Sequence, residues 1–104
     1  MNKEKKTIKI FNTSYKLRFV DKIEPKEEGD FTFGICDSAS CTIEVATKGT
    51  DNKPLKDDVI ELSLLHELVH AILNEGQYKN SSNDEPLVEW LAKCLKHLID
   101  QQVI

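Results

Sequence analysis

The sequence predicts a small α+β domain in which about four strands are followed by two helices. Two observations indicate this order. Short β-branched and aromatic runs, separated by turn-forming residues, fill the first half of the 104-residue chain. Longer segments with helical periodicity fill the second half, from about residue 55 onward. A chain of this length forms a single domain, 1–104, and we expect residues 1–6 to be a flexible tail.

Four segments of the first half have the composition of strands. Turn residues at 12–14 and at 37–40 divide them into two pairs, and a charged loop, 24–30, lies between the pairs. The predicted strands are residues 7–11, 15–20, 31–36 and 41–47.

Two helices are predicted in the second half. The first runs from about residue 55 to residue 74, and its apolar residues surround nearly the whole circumference, which is typical of a buried helix. The second runs from about residue 84 to residue 101 and has an apolar stripe on one face only. We therefore expect helices packed on one sheet.

The composition, 39% hydrophobic and 31% charged, is that of an ordinary globular protein, and the net charge is −4. We therefore expect no large basic surface for nucleic acid. No apolar run approaches the length of a membrane span, and none follows the charged N-terminus, so we expect a cytoplasmic protein without membrane contact. The three cysteines are expected to be reduced thiols; a disulfide between Cys36 and Cys41, which flank a turn, is the alternative.

The residues that carry chemistry are His66-Glu67-Leu68-Val69-His70, within the first predicted helix. Residues four apart on an α-helix lie about 40° from each other around the axis, so the two imidazoles share a face and can bind one metal ion. Glu67 lies on the same arc, beside the metal, where it can accept a proton from a metal-activated water. Ser63 lies one turn earlier on that arc, and its small side chain leaves room above the ion.

An ordinary helix whose histidines are core or surface residues is the competing interpretation of this motif. Only three histidines occur in the chain, and two of them have this spacing. They lie on an otherwise apolar helix, where two imidazoles and a carboxylate are costly to bury without a partner. These observations favour metal binding, with Zn2+ as the expected cofactor.

A catalytic zinc site with two histidines takes a carboxylate as its third protein ligand. Pro86 suits the first turn of the second helix, which makes Glu85 a helix-entry residue that can reach the first helix. A capping box with Ser82 is the alternative role for Glu85. Glu89 is the alternative ligand, but Lys93 follows it in the order that favours a surface ion pair. We favour Glu85 as the ligand; a hydrogen bond to a ligating imidazole is the functional alternative for Glu89.

Together, these two segments resemble the gluzincins, zinc peptidases that combine HExxH with a later glutamate. More narrowly, they are similar to the small ImmA/IrrE-type and phage-encoded metallopeptidase-like proteins. The matching stretches are residues 64–73 and 85–92, the resemblance covers roughly 55–101, and the β half matches only in general character. The resemblance implies a zincin-like domain with zinc ligands His66, His70 and Glu85, and it places Glu89 where a partner of a ligating histidine is common.

The resemblance also carries expectations about the substrate and the assisting residues. In such proteins a substrate peptide pairs with an exposed strand beside the motif helix, and residues 41–47, which precede that helix, are the expected edge. The group is usually longer than this chain, and its oxyanion-stabilising Tyr or His has no clear match here. Tyr78, between the two helices, is the candidate, with packing as its alternative role. His97 is expected to be a solvated surface residue.

We therefore expect a cytoplasmic zinc peptidase that hydrolyses peptide bonds in a protein substrate. Glu67 would be the general base and then the proton donor to the leaving amine. Two other hypotheses are a catalytically silent zincin-like module that binds protein, and a structural zinc site closed by a fourth ligand such as a cysteine.

Overall fold

The computed structural model describes residues 5–24 and 31–104. Within these ranges the chain forms four strands and then three helices, in the α+β order that the sequence predicts. The elements are β1 (Lys5–Ile10), β2 (Thr13–Val20), β3 (Gly34–Asp37), β4 (Thr42–Ala46), α1 (Asp57–Glu75), α2 (Lys79–Ser82) and α3 (Glu85–Asp100). The predicted tail and the predicted 24–30 loop lie largely outside the described residues, but residues 5 and 6 belong to β1 and pair with β2.

The sheet is mixed and has the strand order β1-β2-β4-β3. β1 and β2 form the predicted antiparallel hairpin, although its turn is at residues 11–12, where Phe11 has a positive φ of 55°. β3 and β4 are also antiparallel, with Cys36 opposite Ile43. β2 and β4 pair in parallel, and this pairing joins the two hairpins into one sheet.

The prediction that residues 41–47 form a sheet edge is wrong. β4 pairs with β2 on one side and with β3 on the other, and its side chains Ile43, Val45 and Ala46 are fully buried. The position of β4 just before the motif helix suggested an edge, but the parallel pairing with β2 places it in the interior. β3 is the edge strand on this side of the sheet, and it contacts α1.

Two apolar cores lie on opposite sides of α1, which explains why this helix is apolar around most of its circumference. Toward the sheet, Ala71 belongs to the same buried cluster as Tyr15. Away from the sheet, Val69 packs with Val88 and Ala92 of α3. α3 therefore packs chiefly on α1 and forms a third layer, whereas the sequence predicted both helices on the sheet.

A short helix that the sequence did not predict, α2, precedes α3 and ends at Ser82. Asp84 caps α3, because its Oδ1 accepts a hydrogen bond from the backbone N–H of Leu87 at 3.2 Å. Glu85 is the first residue of α3 and Pro86 lies in its first turn, as predicted. The capping box between Ser82 and Glu85 is not formed, because Asp84 occupies the capping position.

The expectations about membrane spans and disulfides can be compared with the described helices and cysteines. No helix in the described ranges combines the length and the apolar character needed to cross a membrane. Cys36, Cys41 and Cys94 carry free thiols, so the alternative disulfide between Cys36 and Cys41 is absent.

Candidate metal centre

α1 and the first residue of α3 bring three metal-binding side chains together. His66 and His70 lie one turn apart on α1, with ring centroids 5.0 Å apart. Glu85 faces both rings: its Oε2 lies 3.0 Å from Nε2 of His66, and its Oε1 lies 3.0 Å from Nε2 of His70. One ligand atom from each residue lies within 4.8 Å of the others, and no second group of this kind occurs in residues 5–24 and 31–104. The group could therefore hold a metal ion.

The donor atoms and their spacing suit a small divalent cation. Zinc accepts imidazole nitrogen and carboxylate oxygen at bond lengths of about 2.0–2.2 Å. Ligand atoms on a tetrahedron of that size stand about 3.3 Å apart. The two 3.0 Å separations, each from a different oxygen of Glu85, are close to that spacing. The Glu85 side chain is 62% exposed, so the group opens to solvent on that side.

Glu89 determines which nitrogen of His66 faces Glu85. It lies one turn after Glu85 on α3, and its Oε1 is 3.1 Å from Nδ1 of His66. An ionised carboxylate can only accept, so Nδ1 carries a proton and Nε2 is directed at Glu85. The surface ion pair with Lys93 is not formed between these two described residues. The geometry supports the hydrogen-bonding role for Glu89.

Ser82 has the corresponding relationship to His70. Its Oγ lies 3.2 Å from Nδ1 of His70 and donates to the backbone carbonyl of the same histidine at 3.4 Å. If Nε2 of His70 binds a metal ion, the Nδ1–H of this ring can donate to the hydroxyl of Ser82. Ser82 is buried, which protects this arrangement from water. The sequence indicates only a helix-capping role for Ser82, because its position beside His70 depends on the unpredicted helix α2.

The two imidazoles therefore present Nε2 to a single carboxylate. Each Nε2 lies 3.0 Å from an oxygen of Glu85, a separation that a proton on the nitrogen or a metal ion between the groups can stabilise. Burial lowers the pKa of His66, but the hydrogen bond that His66 donates to Glu89 and the nearby Glu67 and Glu85 carboxylates outweigh burial and raise it, which favours a positive charge on this ring. A divalent cation can supply the same charge to both rings at once.

Glu67 lies beside the ligand group and is not part of it. Its side chain is buried between α1 and β3, with 8% of the residue exposed. Gly34 of β3 makes room for it, because a Cβ at this position would lie 2.9 Å from Cγ of Glu67. Burial raises the pKa of Glu67 to about 7; the charge of Glu85 also raises it, and His66 opposes the shift. The contact between Gly34 and Glu67 is not predictable from the sequence, because it depends on β3 being the edge strand.

Two cavities meet at Glu67, which lines both. The first has a volume of about 450 Å³, is mainly apolar and lies between the start of β3 and the first half of α1. The second has a volume of about 640 Å³, is mainly polar and lies along the second half of α1 and α2. His66 and Glu89 line the apolar cavity, whereas His70 and Glu85 line the polar one. The candidate metal centre therefore lies at the boundary between two chemically different cavities.

Three other residues singled out in the sequence, Ser63, Tyr78 and His97, do not belong to the ligand group. Ser63 lines the apolar cavity with His66, and its hydroxyl donates to the carbonyl of Val59. Tyr78 is 64% exposed, lines neither cavity, and lies close over Gly76, so packing is the role that the structure supports. His97 is exposed on α3, as predicted.

No protein-family model matches the chain, and no curated protein and no solved structure matches it. The class of site is therefore defined by its donor atoms and geometry: a two-histidine, one-carboxylate group that could bind a metal ion, with a buried glutamate beside it.

Proposed function

We propose that this chain is a small zincin-like, zinc-dependent peptidase that hydrolyses peptide bonds in a protein substrate. The observation that carries the proposal is the convergence of His66, His70 and Glu85 beside the buried carboxyl of Glu67. Three protein ligands leave the fourth position of a tetrahedral ion for water or substrate, which is the pattern of catalytic zinc sites. A purely structural site would have no use for the carboxyl of Glu67, whose burial costs folding free energy.

The chemistry assigns Glu67 two successive proton transfers. A bound zinc ion would lower the pKa of water to about 7 and polarise the scissile carbonyl. Glu67 takes the proton that the attacking water loses as its oxygen bonds to the carbonyl carbon. Glu67 then gives that proton to the amine nitrogen as the C–N bond breaks. Burial raises the pKa of Glu67 to about 7, which suits a group that both accepts and donates a proton near neutral pH.

The edge strand β3 supports a peptide as the substrate. Among the described strands, β3 pairs with β4 only, and its first residue, Gly34, lies against Glu67. A peptide that adds to this edge forms backbone hydrogen bonds whatever its sequence, and it would cross the ligand group. In this proposal β3 has the docking role first expected of residues 41–47.

The two alternative functions predict different properties. A closed structural zinc site needs a fourth protein ligand, and the ligand group found in the described part of the chain contains no cysteine. A catalytically silent binding module would keep the metal and the edge strand but would not hydrolyse the peptide.

Metal analysis combined with Glu67→Gln tests the proposal. The purified protein is expected to contain about one zinc ion per chain and to cleave denatured, fluorescently labelled casein. Glu67→Gln should keep the metal and lose about 100-fold or more of the rate. The control is Glu61→Gln on the same helix. Glu61 forms an ion pair with Lys96 at 2.8 Å and does not belong to the ligand group. Unchanged hydrolysis by metal-loaded Glu67→Gln would contradict the assigned role, and a zinc-loaded wild type that cleaves nothing would favour the binding module.

A further inference from the structure

The two cavities that meet at Glu67 are arranged along the axis of α1. Leu62 lines the apolar cavity, and Asn74, twelve residues further along the helix, lines the polar cavity. Twelve residues of α-helix span about 18 Å. An extended peptide covers that distance with about five or six residues. A peptide docked along β3 would therefore place side chains in both cavities, one on each side of Glu67.

The apolar cavity presents aromatic and aliphatic walls to the ligand group. The rings of Phe31 and Phe33 meet edge to face, with centroids 4.6 Å apart. Val59 and Leu62 of α1 line the same cavity. Phe33 is 46% exposed, so part of this apolar surface contacts water in the free protein. A bulky apolar side chain would displace that water and bury the exposed surface.

The polar cavity has the opposite character. The side chains of Asn74 and Asn83 line it, and neither forms a hydrogen bond with any residue in the described ranges. Glu75 also lines it, but its carboxylate already accepts hydrogen bonds from Thr13 and Tyr15. An apolar side chain here would desolvate these amides without replacing their hydrogen bonds to water. A polar side chain could donate to them or accept from them.

We propose that the substrate is an extended peptide with a bulky apolar side chain in the Phe33–Leu62 cavity and a polar side chain in the Asn74–Asn83 cavity. This inference rests on the proposed peptidase function. Because Glu67 lines both cavities, the scissile bond lies between the two side chains. The enzyme therefore requires an apolar residue on one side of the bond and a polar residue on the other.

Product sequencing from a mixture of synthetic peptides tests the requirement. Random ten-residue peptides are incubated with the zinc-loaded wild type, and the new termini are read by mass spectrometry. Phe, Leu and Met should be enriched about ten-fold or more on one side of the cut, and polar residues on the other side. Cleavage with no enrichment, or with apolar enrichment on both sides, would overturn the inference and leave the peptidase function standing.

A binding measurement separates failure of recognition from failure of catalysis. Zinc-loaded Glu67→Gln is immobilised, and the peptides that it retains from the same mixture are sequenced. Retention of peptides with the apolar–polar pattern, together with no cleavage by the wild type, would contradict the peptidase function and the scissile bond, and would support only binding of the two side chains in the two cavities. Absence of both retention and cleavage would overturn both.

Two variants assign the apolar preference to its cavity. Phe33→Ala removes one wall at a half-exposed position, and Val59→Phe fills the cavity from α1. Each should reduce the enrichment of bulky residues about five-fold or more while zinc content stays constant. The control is Ile72→Ala, an exposed apolar residue of α1 that lines neither cavity. Unchanged enrichment in both cavity variants would contradict the assignment.

Discussion

The hydroxyl of Ser82 lies 3.2 Å from Nδ1 of His70 and 3.4 Å from the carbonyl oxygen of the same histidine. Ser82 can donate to the carbonyl and accept from an Nδ1–H of His70, an arrangement that leaves Nε2 available to a metal ion. Glu89 accepts from Nδ1 of His66 in the same way. These two contacts therefore orient both rings so that Nε2 is directed at Glu85.

Removing the Ser82 hydroxyl should weaken metal binding. Partners that orient a ligating histidine are typically worth about 10- to 100-fold in metal affinity, so we expect a loss in that range for Ser82→Ala. Ser82→Thr keeps a hydroxyl and should retain most of the affinity, and Ser81→Ala on the same short helix is the control. Competition with a chromophoric chelator measures the affinities. An affinity for Ser82→Ala equal to that of wild type would show that the hydroxyl acts only in folding.

The buried carboxyl of Glu67 should make the metal-free protein less stable as pH rises. Its folded pKa of about 7 lies above the ordinary value of 4.5, mainly because of burial. The stabilising contribution of its protonated form is therefore complete below pH 4.5 and is lost as pH rises through 7. Glu67→Gln removes this dependence and should raise the free energy of unfolding at pH 8 by about 1–3 kcal/mol, with little change at pH 4.5. Urea denaturation in the presence of a metal chelator measures the free energy of unfolding at each pH. An equal change in this free energy at pH 4.5 and at pH 8 would contradict the burial of the Glu67 carboxyl.

A side chain at position 34 should displace Glu67. In Gly34→Ala the new Cβ would lie 2.9 Å from Cγ of Glu67 and 3.3 Å from the carbonyl oxygen of Glu44. Overpacking of this kind costs about 1–3 kcal/mol of stability. Gly49→Ala is the control: its nearest contact is Oδ1 of Asp51 at 3.3 Å, and we expect a change below about 0.5 kcal/mol. Thermal denaturation measures the difference, and equal effects of the two substitutions would show that Gly34 is not tightly packed against Glu67.

Cys36 should resist alkylation in the folded protein. Burial, followed by the charges of Glu67 and Asp37, raises the pKa of its thiol to about 12. At pH 8.5 the thiolate fraction is then about a thousand-fold smaller than for an unperturbed cysteine. Iodoacetamide labelling of the metal-free protein, followed by mass spectrometry, should show slow modification of Cys36 when native and fast modification in urea. Equal rates in the two states would contradict this environment.

The parts of the site that were predictable from sequence are those determined by local geometry. The spacing of His66 and His70 places them on one helix face wherever that helix packs. Pro86 indicates where α3 begins, and Glu85 follows from it. These relationships need only the helical repeat and the preference of proline for a first turn.

The parts that were not predictable depend on contacts between distant segments. The edge position of β3, and with it the contact between Gly34 and Glu67, results from parallel pairing of β2 with β4. Strand composition does not indicate which strands become neighbours. α2 has four residues, too few for a periodic pattern, so the position of Ser82 beside His70 could not be derived.

Zinc titration of the wild type, Glu85→Gln and Glu89→Gln is the most direct test of the metal centre. The wild type should bind about one Zn2+ per chain. Glu85→Gln removes a ligand and should lose more affinity than Glu89→Gln, for which we expect a loss of about 10- to 100-fold. Wild-type affinity in Glu85→Gln, or no zinc binding by the wild type itself, would contradict a centre formed by His66, His70 and Glu85.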